Sequence, residues 1–272
     1  MADVIEISSP DDPRLADFRD LRDVSLRKSI EASEGLFLAE GAKVVRRAAS
    51  KGYRARSFLM APRWVSELAD VLVAHDAPVY VLSEQLVEQI TGYHVHRGAL
   101  ASFARPVLPS AASVVAGATG VHRRIVVLED LVDDGNIGLV FRNAAALGID
   151  GILLTDRAAD PLYRRSIKTS MGNVFNVPWT RVRGLEDALA VLRTDGYVSV
   201  AMTLTDDSIT LDELVDLGHR RLAFVFGTEG AGVHPKTEQQ VDHCVRIPME
   251  AGVDSLNVAA AAAVTFYATR PR

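Results

Sequence analysis

The stretch Ile247-Pro248-Met249-Glu250-Ala251-Gly252-Val253-Asp254-Ser255-Leu256-Asn257 decides how the second half of the chain is read. It opens as the end of a strand, Cys244-Val245-Arg246-Ile247-Pro248, and closes as the start of an Ala-rich helix reaching Tyr267. Gly252 permits a sharp turn, and Ser255 is a residue type that caps helix N-termini. A strand-to-helix turn needs little more. This one also gathers a carboxylate, a hydroxyl and an amide beside a helix N-terminus, while Ile247-Pro248-Met249 offers backbone groups and an apolar thioether suited to a flat heterocycle.

Two further stretches have the same character. Phe226-Gly227-Thr228-Glu229-Gly230-Ala231-Gly232 follows the apolar strand Leu222–Phe226. Its glycines let a ligand approach the backbone, and its Glu stands at a strand's carboxyl end, where open α/β sheets bind ligands. Asp133-Asp134-Gly135-Asn136-Ile137-Gly138-Leu139-Val140-Phe141-Arg142-Asn143 follows the strand Arg124–Glu129 and opens a helix, with Asn136 at or near its N-cap and Arg142 about one and two-thirds turns on. Alone, each has an ordinary reading: a capped helix with a surface Arg, a glycine loop with a solvated Glu, a cap. No Gly-rich dinucleotide fingerprint follows any strand, which disfavours a nicotinamide enzyme.

From Arg124 onward, continuous apolar strands at 124–129, 151–155, 197–202, 222–226 and 244–248 alternate with helical segments at 136–147, 161–171, 185–194, 211–217 and 235–240. That pattern predicts a mostly parallel sheet covered on both faces. Residues 1–106 carry a smaller α/β pattern, with strands at 35–40, 55–60, 79–82 and 98–104 and helices at 13–26, 42–50, 62–75 and 83–90. The small-residue stretch 107–120, beginning beside Pro106 and containing Pro109, reads as a linker with room for a short helix, and 121–272 is the second domain.

Of the 272 residues, 48% are hydrophobic and 24% charged, as in a soluble globular protein. Met1-Ala2-Asp3-Val4 has no signal-peptide character, and the longest low-charge run, Leu256–Thr269, is too short to span a bilayer. The single cysteine, Cys244, excludes an internal disulfide and, with the missing signal, predicts a cytoplasmic protein without membrane attachment. The net charge of -5 does not advertise nucleic-acid binding, but between Arg14 and Arg63 twelve Lys/Arg face six Asp/Glu. Such asymmetry predicts a basic N-terminal part that meets polyanions; solvated helix faces are the alternative.

Taken in order and spacing, Asn136-x-Gly138-x-x-x-Arg142, Phe226-Gly227-x-Glu229-Gly230 and Ile247-Pro248-Met249 followed by Ser255-Leu256-Asn257-Val258 resemble the three motifs of the SpoU family (SPOUT superfamily) of RNA 2'-O-ribose methyltransferases. Ser170-Met171-Gly172-Asn173-Val174-Phe175-Asn176-Val177-Pro178 resembles the family's central segment, with Asn173 where Ala is usual. The resemblance runs from about Arg124 to the C-terminus and, more loosely, through Phe37-Leu38-Ala39-Glu40-Gly41. It implies an α/β fold: a C-terminal trefoil-knotted SPOUT methyltransferase domain preceded by a small ribosomal-protein-like substrate-binding domain. It also implies S-adenosyl-L-methionine as methyl donor, a homodimer through the knotted domain, and 2'-O-methylation of ribose in structured RNA, with 23S ribosomal RNA first and tRNA second. An inactive ribosome-associated RNA-binding protein is the rival outside enzymology. By motif, cofactor contacts fall on Gly227, Thr228, Ile247, Met249 and Leu256, and the catalytic set on Asn136, Arg142, Glu229, Ser255 and Asn257.

No His or Cys lies in these motifs, so a conventional base is missing, and arginine stays protonated. Arg142 is therefore expected to clamp a phosphate and stabilise a developing alkoxide, with Glu229 and Asn136 orienting it. Elsewhere His94-x-His96 lacks a third ligand, so no metal is expected and an RNA-facing loop is the reading. Arg157, Arg164, Arg165 and Lys168 form a basic cluster, with Arg164 and Lys168 on one helix face, suited to phosphate. Trp64, Trp179 and Cys244 read as core residues.

Overall fold

The computed structural model describes residues 3–93, 95, 98–205, 207–228, 230, 232–250 and 255–271. The chain forms two compact units, one of residues 1–107 with 162–175, the other of 108–161 with 176–272.

In the first unit the chain runs β1 (Val4–Glu6), a 3-10 turn (Pro13–Phe18), α1 (Val24–Ser33), β2 (Leu36–Glu40), α2 (Ala42–Ser50), β3 (Ala55–Met60), α3 (Pro62–Glu67), α4 (Ala69–Val73), β4 (Val79–Val81), α5 (Glu84–Thr91) and β5 (Ala99–Ala104). The sheet order is β1-β4-β3-β5-β2, with β5 antiparallel to both its neighbours. The helix expected over 13–26 is two pieces, because Asp20 adopts a left-handed φ of 52° and Asp23 caps a new start. The helix expected over 62–75 is likewise broken at Leu68.

The second unit runs α6 (Ala111–Ala116), β6 (Arg123–Leu128), α7 (Asp134–Leu147) and β7 (Gly151–Thr155). The chain then passes through the first unit as α8 (Arg164–Thr169) and a 3-10 turn (Asn173–Phe175). It returns as β8 (Trp179–Val182), α9 (Leu185–Thr194), β9 (Val198–Met202), β10 (Ile209–Thr210), α10 (Leu211–Asp216), β11 (Arg221–Phe226), α11 (Pro235–Glu238), β12 (His243–Arg246) and α12 (Val258–Ala268). Every ladder of its sheet, β10-β12-β9-β11-β6-β7-β8, is parallel. The apolar pattern does not mark β1, β8 or β10: β10 has two residues, and polar residues interrupt the other two, as Glu6 does in β1 and Thr180 and Arg181 do in β8. Within the stretch read as a linker, Ser110 caps α6, and Val114 and Val115 are buried in the core.

Strand alternation divides this sheet's faces. Ile125, Val127, Ala223 and Val225 point to α6 and α9, whose Val115, Ala188, Leu189 and Leu192 complete one core. Phe224 and Phe226 point the other way, onto Phe266 of α12, with ring centroids at 6.3 and 5.9 Å. The α7 and α12 pair is tied by Asn143 Nδ2 donating to Ala259 O at 2.8 Å. Buried Arg124 joins three elements, donating to Phe266 O at 2.6 Å, Gly148 O at 3.1 Å and Leu147 O. Trp179 is buried edge-on to Phe141, as a core residue. From β6 the chain builds outward through β7 to β8, then lays β9, β11 and β12 on the opposite side. The junction of β6 and β11 is thus a topological switch point, and the loops beyond those strands bound the expected ligand crevice.

Candidate functional site

A cavity of about 830 Å³ lies at the carboxyl ends of β9, β11 and β12. This is a size typical of small-molecule sites. It is lined by Gly227 and Thr228 after β11, Ile247 and Met249 after β12, and Ser255, Leu256 and Asn257 before α12. Two separate segments proposed from the sequence as cofactor contacts thus meet at one opening. Apolar wall comes from Phe226, Ile247, Met249, Leu256 and Val258. At Gly227 an added Cβ would fall 1.9 Å from the carbonyl oxygen of Gly232, so the loop closes on itself only with glycine there. Paired backbone bonds fix that closure: Thr228 N to Gly232 O at 2.9 Å and Gly232 N to Thr228 O at 3.0 Å.

The third motif arrives through α7. Asn136 is buried and does not cap the helix: Asp133 does, its carboxylate accepting from Asn136 N at 2.8 Å. Asn136 is the third helical residue, which turns its side chain to the cavity's edge, where Asn257 Nδ2 donates to Asn136 Oδ1 at 3.1 Å. Helix α12 also starts later than expected. Its cap is Asn257, whose Oδ1 accepts from Ala259 N at 2.9 Å, and not Ser255. Ser255 is exposed, lines the cavity, and its hydroxyl has no hydrogen bond to another described residue. Arg142 is exposed on α7, without ion pair or hydrogen bond to another described residue. Glu229, with Ala251–Asp254, His94 and His96, lies outside the described residues.

The cavity also uses residues that the motifs did not announce. Met202 ends β9, Thr203, Leu204 and Thr205 follow it, and Val233, Pro235 and Glu238 lead into and form α11. The rule that ligands gather beyond the carboxyl ends of parallel strands would have pointed to Met202–Thr205; α11 carries no comparable signal.

The expected phosphate cluster is not assembled. Arg157, in the second unit, is paired with Asp130. Arg164 and Lys168 do share a face, but it packs in the first unit against Glu40, at 3.8 and 3.3 Å, and Arg164 Nη1 also donates to the Tyr93 hydroxyl at 2.5 Å. Burial, followed by the charge of Glu40, pushes the Tyr93 hydroxyl pKa well above its ordinary value. Arg164 and Lys168 are thus engaged with protein partners. In the basic N-terminal part, Arg27 is buried against Glu31, while Arg14, Arg46, Arg56 and Arg63 pair with carboxylates. Arg22, Lys43, Lys51 and Arg54 are exposed and pair with no described carboxylate. Among the described residues there is no cluster of three or more metal-ligating side chains, and no helix is long and apolar enough to cross a membrane.

Residues 123–267 match the SpoU rRNA Methylase family, and residues 17–101 match the MRM3-like substrate binding domain. The chain belongs to the SpoU rRNA methylase family. It is 40% identical, over 97% of its length and 91% of the relative's, to an uncharacterized tRNA/rRNA methyltransferase of Mycobacterium tuberculosis. It is 30% identical, over 54% of its length and 58% of the relative's, to the 23S rRNA (guanosine(2553)-2'-O)-methyltransferase of Bacillus subtilis. The crystal structure of an AdoMet-bound rRNA methyltransferase from Sinorhizobium meliloti superposes with a TM-score of 0.84 and 26% identity, covering 98% of this chain and 97% of that one.

Proposed function

We propose that this RNA methyltransferase transfers a methyl group from S-adenosyl-L-methionine to a ribose 2'-hydroxyl of structured RNA, with 23S ribosomal RNA as first target. The observation that carries this reading is the convergence on one cavity of the Gly227 loop, the Ile247–Met249 strand end and Asn257, the last bonded to Asn136. The cavity fits the donor's chemistry: apolar walls for a flat base, the backbone of Gly227 and Thr228 along the lining, and a carboxylate but no described cationic side chain to repel a sulfonium. Gly227, Thr228, Ile247, Met249 and Leu256 would hold it. When bound, it supplies an activated methyl group for in-line displacement.

The chain's own residues prepare the hydroxyl. Asn257 fixes Asn136 at the end of the cavity, and Asn136 in turn orients the ribose. Arg142, free of any described carboxylate, holds a neighbouring phosphate and offers donors to the oxygen as negative charge develops on it, while the hydroxyl proton passes to water. Ser255 presents to the ribose a hydroxyl without a hydrogen bond to another described residue, and Glu229 is assigned an orienting part by the motif. The first unit, about residues 1–106, binds the RNA, with exposed Arg22, Lys43, Lys51 and Arg54 contributing to phosphate contact.

The C-terminal region is proposed to be threaded as a trefoil knot. In support, β12 enters between β9 and β10 after both are laid down, and α12 then returns to pack on α7. A homodimer through this domain is supported by exposed apolar side chains on the same helix pair: Leu139 on α7, Val264 and Tyr267 on α12. The proposed location is the cytoplasm. The deciding experiment is incubation with methyl-labelled donor and total cellular RNA, followed by mapping of the modified nucleotide. Label in 23S ribosomal RNA as 2'-O-methylribose is expected. Label in tRNA would move the substrate, label on a base would overturn the chemistry, and donor binding without transfer to any RNA would reveal an inactive binder.

A further inference from the structure

Among the described residues that line the cavity, one side chain is charged: Glu238, on α11. Its position is fixed. Thr203, the first residue beyond β9, donates its hydroxyl to Glu238 Oε1, and the Thr203 amide is held by Val245 O at 2.9 Å. Glu238 Oε2 accepts no hydrogen bond from another described residue, although the side chain is half-buried and faces the cavity. The carboxylate does not cap α11, a role filled by His234, whose Nδ1 accepts from Lys236 N at 3.2 Å. A partly desolvated carboxylate with an open oxygen requires a donor from water or from a ligand.

Topology limits which part of a ligand that donor belongs to. Asn136 follows β6 and Thr203 follows β9, with β11 between them, so they stand two strand spacings apart, about 10 Å at the usual ~4.8 Å per strand. In the proposed reaction the methyl group lies at the Asn136 end. A carboxylate against the sulfonium would also stabilise the charged ground state more than the transition state, in which that charge is dissipating. Both considerations place Glu238 on the nucleoside part of the donor, whose vicinal hydroxyls are the donor groups a carboxylate oxygen accepts best.

We propose that Glu238, held by Thr203, binds the ribose hydroxyls of S-adenosyl-L-methionine and makes the site selective for a ribonucleoside. This rests on the cofactor reading above. The test is calorimetric titration of the full chain with S-adenosylmethionine, S-adenosylhomocysteine and the 2',3'-dideoxyribose analogue of S-adenosylhomocysteine, for wild type, Glu238→Gln and Thr203→Val. Glu238→Gln is expected to weaken both natural ligands alike, on the order of 10- to 100-fold, as for loss of a charge-assisted hydrogen bond. The dideoxy analogue should bind wild type weakly and be indifferent to the substitution. Thr203→Val should fall between. Ligand-free melting temperatures confirm that each variant is folded. Unchanged affinities in Glu238→Gln overturn the proposal. Selective loss of S-adenosylmethionine, with S-adenosylhomocysteine unaffected, also overturns it, because the carboxylate would then be answering the sulfonium charge. Failure of wild type to bind either natural ligand removes the cofactor reading itself.

Discussion

Asn257 performs two separable tasks with one side chain. Its Oδ1 caps α12 through Ala259 N, and its Nδ2 holds Asn136. Serine at this position can still cap but cannot reach Asn136 with an amide, whereas alanine does neither. Asn257→Ala should therefore cost about 1 kcal/mol of stability more than Asn257→Ser, while both lose methyl transfer to a similar extent. Thermal melts and single-turnover assays read the two effects apart, and full activity in Asn257→Ser would refute the positioning part. Arg142 is the opposite case, an exposed side chain without a described partner. Arg142→Lys should leave the melting temperature unchanged yet lower turnover on the order of 100-fold, since a point charge replaces a planar fork of donors. A lysine variant with wild-type turnover would exclude a guanidinium requirement.

Helix starts are the elements most sensitive to a single atom here. Asp23 caps α1, accepting from Leu26 N at 3.0 Å and from the Ser25 hydroxyl at 2.9 Å. The Leu26 amide, then the Ser25 hydroxyl, hold its carboxyl below the ordinary carboxylate range. A carboxyl whose pKa is lower folded than unfolded contributes stability that is fully present above its unfolded pKa and is lost as pH falls through its folded pKa. The loss thus begins below about pH 4, the ordinary aspartate value. Asp23→Asn keeps a capping side chain that does not titrate. Between pH 7 and pH 5 the two proteins should differ by a constant offset in melting temperature, and below pH 4 the wild type should lose more. Parallel curves down to pH 2.5 would show that the cap does not depend on ionisation. The same sensitivity makes the starts of α7 and α12 differ from the sequence expectation. Asp133 and Asn136, like Ser255 and Asn257, are all good capping residues, and choosing between them requires the direction in which the chain enters the helix.

At the scale of the molecule, the two units are not two consecutive segments. Residues 162–175 leave the second half of the sequence and complete the first unit. There Phe175 packs against Phe37 and Tyr53, with centroids at 5.6 and 5.0 Å, Lys28 lies 4.7 Å over the Tyr163 ring, and Arg164 and Lys168 answer the charge of Glu40. A fragment of residues 1–107 lacks all of these. Burial of one Phe side chain is worth about 1.5–3 kcal/mol, and Glu40 loses two cationic partners, keeping the Tyr93 hydroxyl as a donor. Against a domain stability of roughly 5–15 kcal/mol, the fragment should melt well below the first unit of the full chain and with less cooperativity, as followed by circular dichroism. A fragment as stable as its counterpart would show that the inserted segment contributes nothing to that fold.

The sequence by itself determined the class of fold and singled out segments that the structure gathers around one cavity. Apolar strands such as Ile152–Leu154 and Leu222–Phe226 are buried on both faces and admit no other placement than a covered parallel sheet. The Gly227 loop and Ile247–Met249 each have an ordinary reading alone, and they stand out through their order and spacing with Asn136 and Arg142. Other features depended on contacts distant in sequence. Glu238 is an unremarked glutamate until Thr203, 35 residues earlier, turns it into the cavity. Arg164 and Lys168 form a phosphate cluster on paper, but Glu40, well over a hundred residues away, takes their charge. Local pattern reports which faces must be buried, because hydrophobic periodicity is a property of neighbouring residues. The partner of a charge or of an amide is set by sheet order and chain crossing, and that information exists only in the tertiary structure.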